Sequence, residues 1–221
     1  IPNAFNQFPA NTVEGFVFNP HLKITQSLAD EKFISLTPHL RYGFGNERFQ
    51  AKISTLYFIA PKSKIMIAFA GGRGVDQLYN ESTLSPLNNL VNTFLLNENY
   101  LKIYERTFLE VGGTIAPADD FFLSSSLSWN NRSPLRNLPE YENDEEYTSN
   151  DPRNIELPST KFEENTAVIL EASLRWQIGH ELQKQRGELV SVGKYPAITV
   201  AYSGALRDVD NSDNSFHKLS L

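Results

Sequence analysis

Apolar side chains at Ile34, Leu36, Pro38, Leu40, Tyr42 and Phe44 alternate with Ser35, Thr37, His39, Arg41 and Gly43. A strand that separates apolar from polar surroundings has this period of two. A second alternating run follows Gly45-Asn46-Glu47-Arg48, and a two-residue hairpin there pairs Phe44 with Phe49, Tyr42 with Ala51, Leu40 with Ile53, Leu36 with Tyr57 and Ile34 with Ile59. One face of the hairpin is then apolar from end to end. The other sets Arg41 opposite Lys52, His39 opposite Ser54 and Gly43 opposite Gln50, and facing like charges need water or a counter-charge. That face is expected to be wet.

The pattern recurs on both sides of this hairpin. A strand over Gly15 to Thr25 turns Phe16, Phe18, Leu22 and Ile24 one way and Val17, Asn19, His21 and Lys23 the other. In the same register Phe18 lies by Leu40 and Pro20 near Pro38, where missing ladder bonds should bend or open the pair. Ile65 to Ala70 forms a strand closed by Gly71-Gly72-Arg73-Gly74, with Leu56 and Phe58 opposite Ala68 and Met66. The inner face turns apolar there, so a plug or an inward loop is expected to pack on it. Between Val75 and Asn99, Ser85 suits an N-cap and Pro86 a first turn, and Leu87, Leu90, Val91 and Phe94 repeat at helical spacing. This stripe is expected to dock on the rim or inner wall. Tyr104 to Ile115 and Phe121 to Asn130 flank a turn over Ala116 to Asp120, pairing Ile115 with Phe121, Gly113 with Leu123 and Leu109 with Leu127. A long polar loop follows to Asn165. Strands then place Val168, Leu170, Leu174 and Trp176, and later Ile198, Val200 and Tyr202, on one face, and alternation resumes at Phe216.

Such hairpins build either a soluble sandwich or a transmembrane barrel whose apolar face meets lipid. The aromatic side chains distinguish the two. Phe16 and Phe18 lie level with Tyr42, Phe44 and Phe49 at one end of the sheet; with Trp129 and Trp176 they read as an interfacial girdle. The expectation is an all-β, antiparallel up-and-down transmembrane β-barrel with one short helix in a long loop. Residues 1–221 are read as one segment of a larger barrel, cut at both ends. His21, His39, Arg41, Lys52, Arg106, Glu110, Glu171 and Arg175 would line its lumen. Short and long links alternate along the chain, as between the periplasmic and outer sides of such a barrel.

Composition adds exclusions. A net charge of −6 and the absence of a basic stripe argue against nucleic acid as a partner. There is no cysteine, hence no disulfide or thiolate metal site. No apolar run is long enough for a spanning helix, a test that barrels escape because only alternate residues touch lipid. Candidate chemistry is thin. His21 and His39, with Thr37 and Asn19 nearby, form a conceivable metal pair but read better as lumen lining. His180-Glu181 begins a zincin-like string that fails at Lys184. Asp119 and Asp120 sit in a turn, where solvation outweighs a role as paired acids. Asp208, Asp210 and Ser212 mimic a calcium loop, but Asp213 and Leu219 occupy its glycine and glutamate positions. Ser124, Ser126 and Ser128 form an inward row with no histidine placed to activate them. The acidic run at Asp144, Glu145 and Glu146 reads as a solvated outer loop with room for divalent bridging to lipopolysaccharide. No catalytic residue, metal or cofactor is expected.

Asn11-Thr12-Val13-Glu14-Gly15, Arg41-Tyr42-Gly43-Phe44-Gly45, Asn99-Tyr100-Leu101-Lys102-Ile103-Tyr104 and Gly193-Lys194-Tyr195-Pro196 occur in that order. Together they resemble a Bacteroidetes-type outer-membrane β-barrel family of uncharacterised function, often preceded by a carboxypeptidase-regulatory-like domain. The resemblance implies an outer-membrane location in a Gram-negative envelope and no established reaction. The first expectation is a barrel segment serving transport or envelope assembly, with outer-membrane lipid, lipopolysaccharide and other envelope proteins as partners. The alternatives are a soluble β-sandwich binding module and a barrel enzyme acting on lipid or peptide.

Overall fold

The computed structural model describes residues 10–20, 22–60, 64–78, 86–97, 100, 102–118, 120, 121–142, 149–150, 162–177, 180–185, 188–193, 196–206, 212 and 215–221. In chain order the elements are β1 (Ala10–Asn11), β2 (Gly15–Phe18), β3 (Ile24–Ser27), β4 (Phe33–Gly43), β5 (Arg48–Ala60), β6 (Ile65–Gln77) and helix α1 (Pro86–Leu96). They continue with β7 (Ile103–Ala118), β8 (Phe121–Pro134), α2 (Pro139–Glu142), β9 (Asn165–Gln177), β10 (His180–Gln185), β11 (Glu188–Gly193), β12 (Ala197–Leu206) and β13 (Phe216–Ser220). One 11-stranded sheet takes them in the order β1-β2-β4-β5-β6-β7-β8-β9-β12-β13, with β3 also on β4, and β10 and β11 form a separate hairpin. Every pairing is antiparallel between near neighbours in sequence, so the sheet is an up-and-down meander. It is not closed: among the described residues β13 pairs with β12 alone.

Three registers differ from the sequence reading, each by two residues. Tyr42 faces Phe49 and Leu40 faces Ala51, so Arg41 stands opposite Gln50, His39 opposite Lys52 and Gly43 opposite Arg48. Phe44 therefore leaves the strand for a four-residue turn in which Glu47 has φ 53°. Phe18 faces Tyr42 and Ile24 faces Leu36, again two from the anticipated partners. Ile115 faces Leu123 and Leu109 faces Trp129, and a bulge brings Ala118 opposite Phe121. A slip of two leaves every side chain on its assigned face, whereas a slip of one would have exchanged the faces. Arg41 and Lys52 are thus no longer opposed. Leu56 with Ala68 and Phe58 with Met66 pair as anticipated. The first strand does break at Pro20, into β2 and β3.

The glycine run does not end β6, which continues to Gln77. A Cβ on Gly72 (φ +135°) would overlap the Ala51 carbonyl and the Lys52 backbone, and one on Gly74 would overlap the Lys52 side chain. Glycine there lets β5 and β6 stay paired and leaves a path for Lys52 across β6.

The sheet is strongly curled. Leu56 and Met66 on β5 and β6, Glu110 on β7, Ser126 on β8, Glu171 on β9, Ser203 on β12 and Lys218 on β13 all wall one space of about 540 Å³. The polar face is therefore concave and the apolar face convex. On the convex face Ile34, Leu40, Ile53, Ile67, Phe69, Leu109, Val111, Ile115, Leu123, Leu127, Trp176 and Ile198 are 38–53 % exposed. No second sheet covers them among the described residues.

Candidate functional site

The pairings carry the inward set across the sheet. His39 faces Lys52, Lys52 faces Gly72, Ala70 faces Glu110, Gly74 faces Arg106, Ser126 faces Glu171 and Phe122 faces Arg175. His39, Arg41, Lys52, Arg106, Glu110, Glu171 and Arg175 therefore share the concave face; His21 lies outside the described residues. Their charges are mostly matched. Lys52 Nζ lies 2.8 Å and Arg106 Nη1 3.3 Å from the two oxygens of Asp76, and Arg106 Nη2 is 4.0 Å from Glu110. Arg106 Nε donates to Asn130 Oδ1 at 2.7 Å. Higher on the same strands, Arg73 and Glu105, which by register share the parity of Phe69 and Leu109, pair at 2.5 Å, and Glu105 also receives Gln50 at 3.3 Å and Arg48 at 3.7 Å. Sequence reasoning missed Asp76 and Arg73 because it ended β6 before them.

The concave face becomes plainer toward the other end. Ser124 and Ser173 hydrogen-bond at 2.7 Å, Asn130 donates to Ser128, and Ser203 donates to Glu171. Among the described hydrogen bonds this serine row meets serine, asparagine and glutamate. Leu56, Met66 and Ala68 line the 540 Å³ space, so among the described residues neither a plug nor an inward loop fills it. Phe58 instead stacks on Phe33 at 5.3 Å. His39 is hydrogen-bonded with Asn19 at 2.6 Å, and the described residues hold no cluster of metal ligands.

Inward packing does occur, at the opposite end. The corner between β1 and β2 folds over the polar face of β4. Asn11 Oδ1 accepts from the Val13 and Glu14 amides, and Asn11 Nδ2 donates to Glu14 Oε2 at 2.9 Å. Glu14, 1 % exposed, takes Arg41 Nε at 2.8 Å on one oxygen and Arg41 Nη2 at 2.5 Å on the other. Two parallel charge-assisted bonds fix the angle as well as the distance. Gly43 and Gly45 make room for this: a Cβ on either would overlap Asn46 or Leu138, with Glu14 in contact. Thr12 Oγ1 then reaches Asn137 Oδ1 at 2.8 Å, and the Leu138 amide donates to the Thr12 carbonyl at 2.7 Å.

Further segments complete this end. The buried Asn150 side chain serves the Ile103 amide, the Ile103 carbonyl and the Leu135 carbonyl. Asn89 of α1 accepts from the Tyr100 amide and donates to Thr93. The helix begins at Pro86 as the proline predicted, while the Ser85 cap lies outside the described residues. Among its described side chains Asn89 and Thr93 are buried and Val91, Leu95 and Leu96 are exposed, so Val91 of the expected stripe faces out. Leu87, Leu90 and Phe94 have side chains outside the description.

The aromatic set divides between the two ends. Phe18, Tyr42 and Phe49 are neighbours across β2, β4 and β5; Phe44 packs edge-on against Tyr42 at 5.1 Å, and Phe16 is exposed. Trp176 lies at the far end, its Nε1 donating to Asp120 at 3.2 Å, while Trp129 stands between Leu109 and Val168. Asp120 is thus a turn acceptor. Asp119, Asp144, Glu145, Glu146, Asp208, Asp210 and Asp213 lie outside the described residues, and Ser212 accepts from the Val168 amide. His180, Glu181 and Lys184 fall on β10, of whose side chains nothing is described.

The model of one family, the C-terminal domain of a family of unknown function (DUF5686), matches residues 1–221. The chain belongs to that family. No curated protein and no solved structure matches it. For this DUF5686 C-terminal domain, therefore, the function has to be argued from the two faces of the sheet and the packed end.

Proposed function

We propose that this DUF5686 domain spans the outer membrane of a Gram-negative envelope as part of a β-barrel and serves transport or envelope assembly. The observation that carries the reading is the inversion of the sheet: an exposed apolar convex face beside a concave face of paired charges, serine and asparagine. In water a face with so many uncovered large hydrophobes is an aggregation hazard. In a bilayer the same face is solvated, and the ladders running from β4 to β12 already pair most of the backbone groups between them.

Dimensions support the reading. On β4 the convex apolar positions run from Ile34 to Tyr42. That distance is roughly 27 Å along the strand and roughly 20 Å along the membrane normal at a tilt of about 40°. The Phe44 ring and the Phe16–Phe49 group extend the band toward the ~25 Å of outer-membrane barrels. Two depressions on the convex face, of about 550 and 430 Å³, are floored by Gly113, Ser125 and Ala172 and by Ala51 and Gly71, and acyl chains fit such walls. Lipid and lipopolysaccharide would contact this face, and His21, His39, Arg41, Lys52, Arg106, Glu110, Glu171 and Arg175 would set the polarity of the lumen. The long 78–102 and 135–164 connections share one end of the sheet, the arrangement of outer loops. On this reading the kinship is with Bacteroidetes-type outer-membrane barrels.

The test is fractionation. The protein in its native membrane should resist carbonate and urea washes, require detergent for extraction, and shift in gel mobility on boiling. Release by carbonate alone refutes the membrane reading. Conductance in planar bilayers, beside lipid-export and assembly assays in a deletion strain, then separates transport from assembly.

A further inference from the structure

The buried corner between β1 and β2 lies at the end of the sheet that bears the long connections. It is held on one side by β4, through Arg41, and on the other by the segment after β8, through Asn137 and Leu138. Along the sheet β5, β6 and β7 lie between those anchors. β1 and β2 form the edge of the sheet beside β4, and Glu14 sits on the polar side of β4, so the corner meets residues 137–138 on the concave side. The corner is well seated: Thr12 and Val17 are 0 % exposed, Val13 2 % and Glu14 1 %. It is held at β4 by the Glu14–Arg41 pair and by the Gly45 amide on the Glu14 carbonyl, its contacts with residues 137–138 include the Thr12 hydroxyl and carbonyl, and Asn11 keeps the Glu14 carboxylate aimed at Arg41. A corner held by polar contacts can be released where a greasy plug could not, since water satisfies the same groups once it enters.

We propose that the Asn11–Glu14 corner is a gate that closes the interior at the end bearing the long connections, with the Glu14–Arg41 pair as its clasp. The interior is then shut at rest on that side. A partner or ligand opens it by taking over the Arg41 guanidinium or by drawing residues 137–138 away. This inference rests on the membrane-spanning reading for its physiological meaning, but the seating of the corner on β4 and residues 137–138 is a property of the chain alone.

The chain has no cysteine, which makes the test clean. Wild type, Glu14→Gln, and Glu14→Gln combined with Thr12→Cys and Asn137→Cys are compared in planar bilayers after each passes the heat-shift gel. Wild type should stay quiet, and Glu14→Gln should raise the open time at least tenfold. Oxidation of the cysteine pair should abolish the current, and reduction should restore it. A steady current through folded wild type overturns the gate, as does a folded Glu14→Gln protein no more open than wild type, or a current that oxidation leaves unchanged. Should Glu14→Gln lose its heat shift, Thr12→Cys/Asn137→Cys alone carries the comparison, the reduced form conducting more than the oxidised. A second readout needs no bilayer. In detergent, Ser126→Cys inside the sheet should react with a bulky maleimide about tenfold faster when Glu14→Gln is added, and equal rates overturn the gate. Failure of insertion with this acceleration intact would count against the membrane reading and leave the closure standing.

Discussion

Ile53 and Ser54 are neighbours on β5, at the middle of a 13-residue strand, and their side chains leave on opposite faces. Ile53 lies on the convex face opposite Pro38 and Gly71 and is 41 % exposed. Ser54 lines a concave space of about 230 Å³ with Lys23, Thr37 and Glu110. Arginine at either position removes little internal packing, so the cost is set by what lies outside each face. If hydrocarbon bathes the convex face, Ile53→Arg costs about 2–4 kcal/mol near the middle of the band. That is roughly a thirty- to several-hundred-fold fall in the folded population. If water bathes it, the change is a surface substitution worth about 0.5 kcal/mol or less. Ser54→Arg enters a wet space with Glu110 at its border, so it should cost under about 1 kcal/mol in either case. The assay is urea-dependent folding into phospholipid vesicles, followed by tryptophan emission from Trp129 and Trp176 and by the gel heat shift. Equal midpoints for Ile53→Arg and Ser54→Arg would refute the assignment of the faces and the membrane reading with it.

Three smaller perturbations test the framework. Gly72→Ala forces a Cβ into the Ala51 carbonyl at a φ of +135°, and should cost at least about 2 kcal/mol in the same unfolding assay; an unchanged midpoint would mean that β5 and β6 separate there. Asp76→Asn leaves Lys52 and Arg106 facing one another across β6, both about a quarter exposed, and should destabilise by about 1–2 kcal/mol at low salt. Molar salt should shrink that loss, and salt independence would show that the triad is not electrostatic. Asn150→Ala strips three buried backbone hydrogen bonds, should cost about 2–4 kcal/mol, and should speed amide exchange at Ile103 ahead of mid-strand amides such as Val111.

The division of faces was legible in the sequence because it depends only on odd and even positions, and each pairing that moved did so by two. The offset itself was not legible. It is set by turn geometry, here by Glu47 in the left-handed region and by the bulge between Ile115 and Ala118, and neither residue type announces this. Gly71 to Gly74 misled because glycine marks both strand ends and close backbone approach, and only the neighbouring Lys52 side chain decides which. The packed end was the least legible part. Its contacts join residues far apart in sequence, Thr12 with Asn137 and Ile103 with Asn150, and they are made by asparagine and threonine that read as loop composition. Asn11-Thr12-Val13-Glu14-Gly15 did stand out, as part of a resemblance. The one local sign of its structure was an asparagine three before an acid, placed to turn the chain and aim the carboxylate.

The inversion reaches further than the two faces. Among the described residues the largest fully buried side chains are Glu14, Val17, Asn89, Asn150, Thr12 and Thr93, five of the six polar, while phenylalanine, leucine and isoleucine dominate the exposed set. A domain stabilised from within by the hydrophobic effect shows the opposite order. Here the interior is held by directed bonds, each of which needs its partner in place, and the apolar area that would drive folding lies on the outside. On the membrane-spanning reading, the free energy of folding comes largely from the surroundings of the convex face. Removing those surroundings should loosen the whole sheet, and the polar end, whose bonds water can replace, should fray before the strands that bear the band.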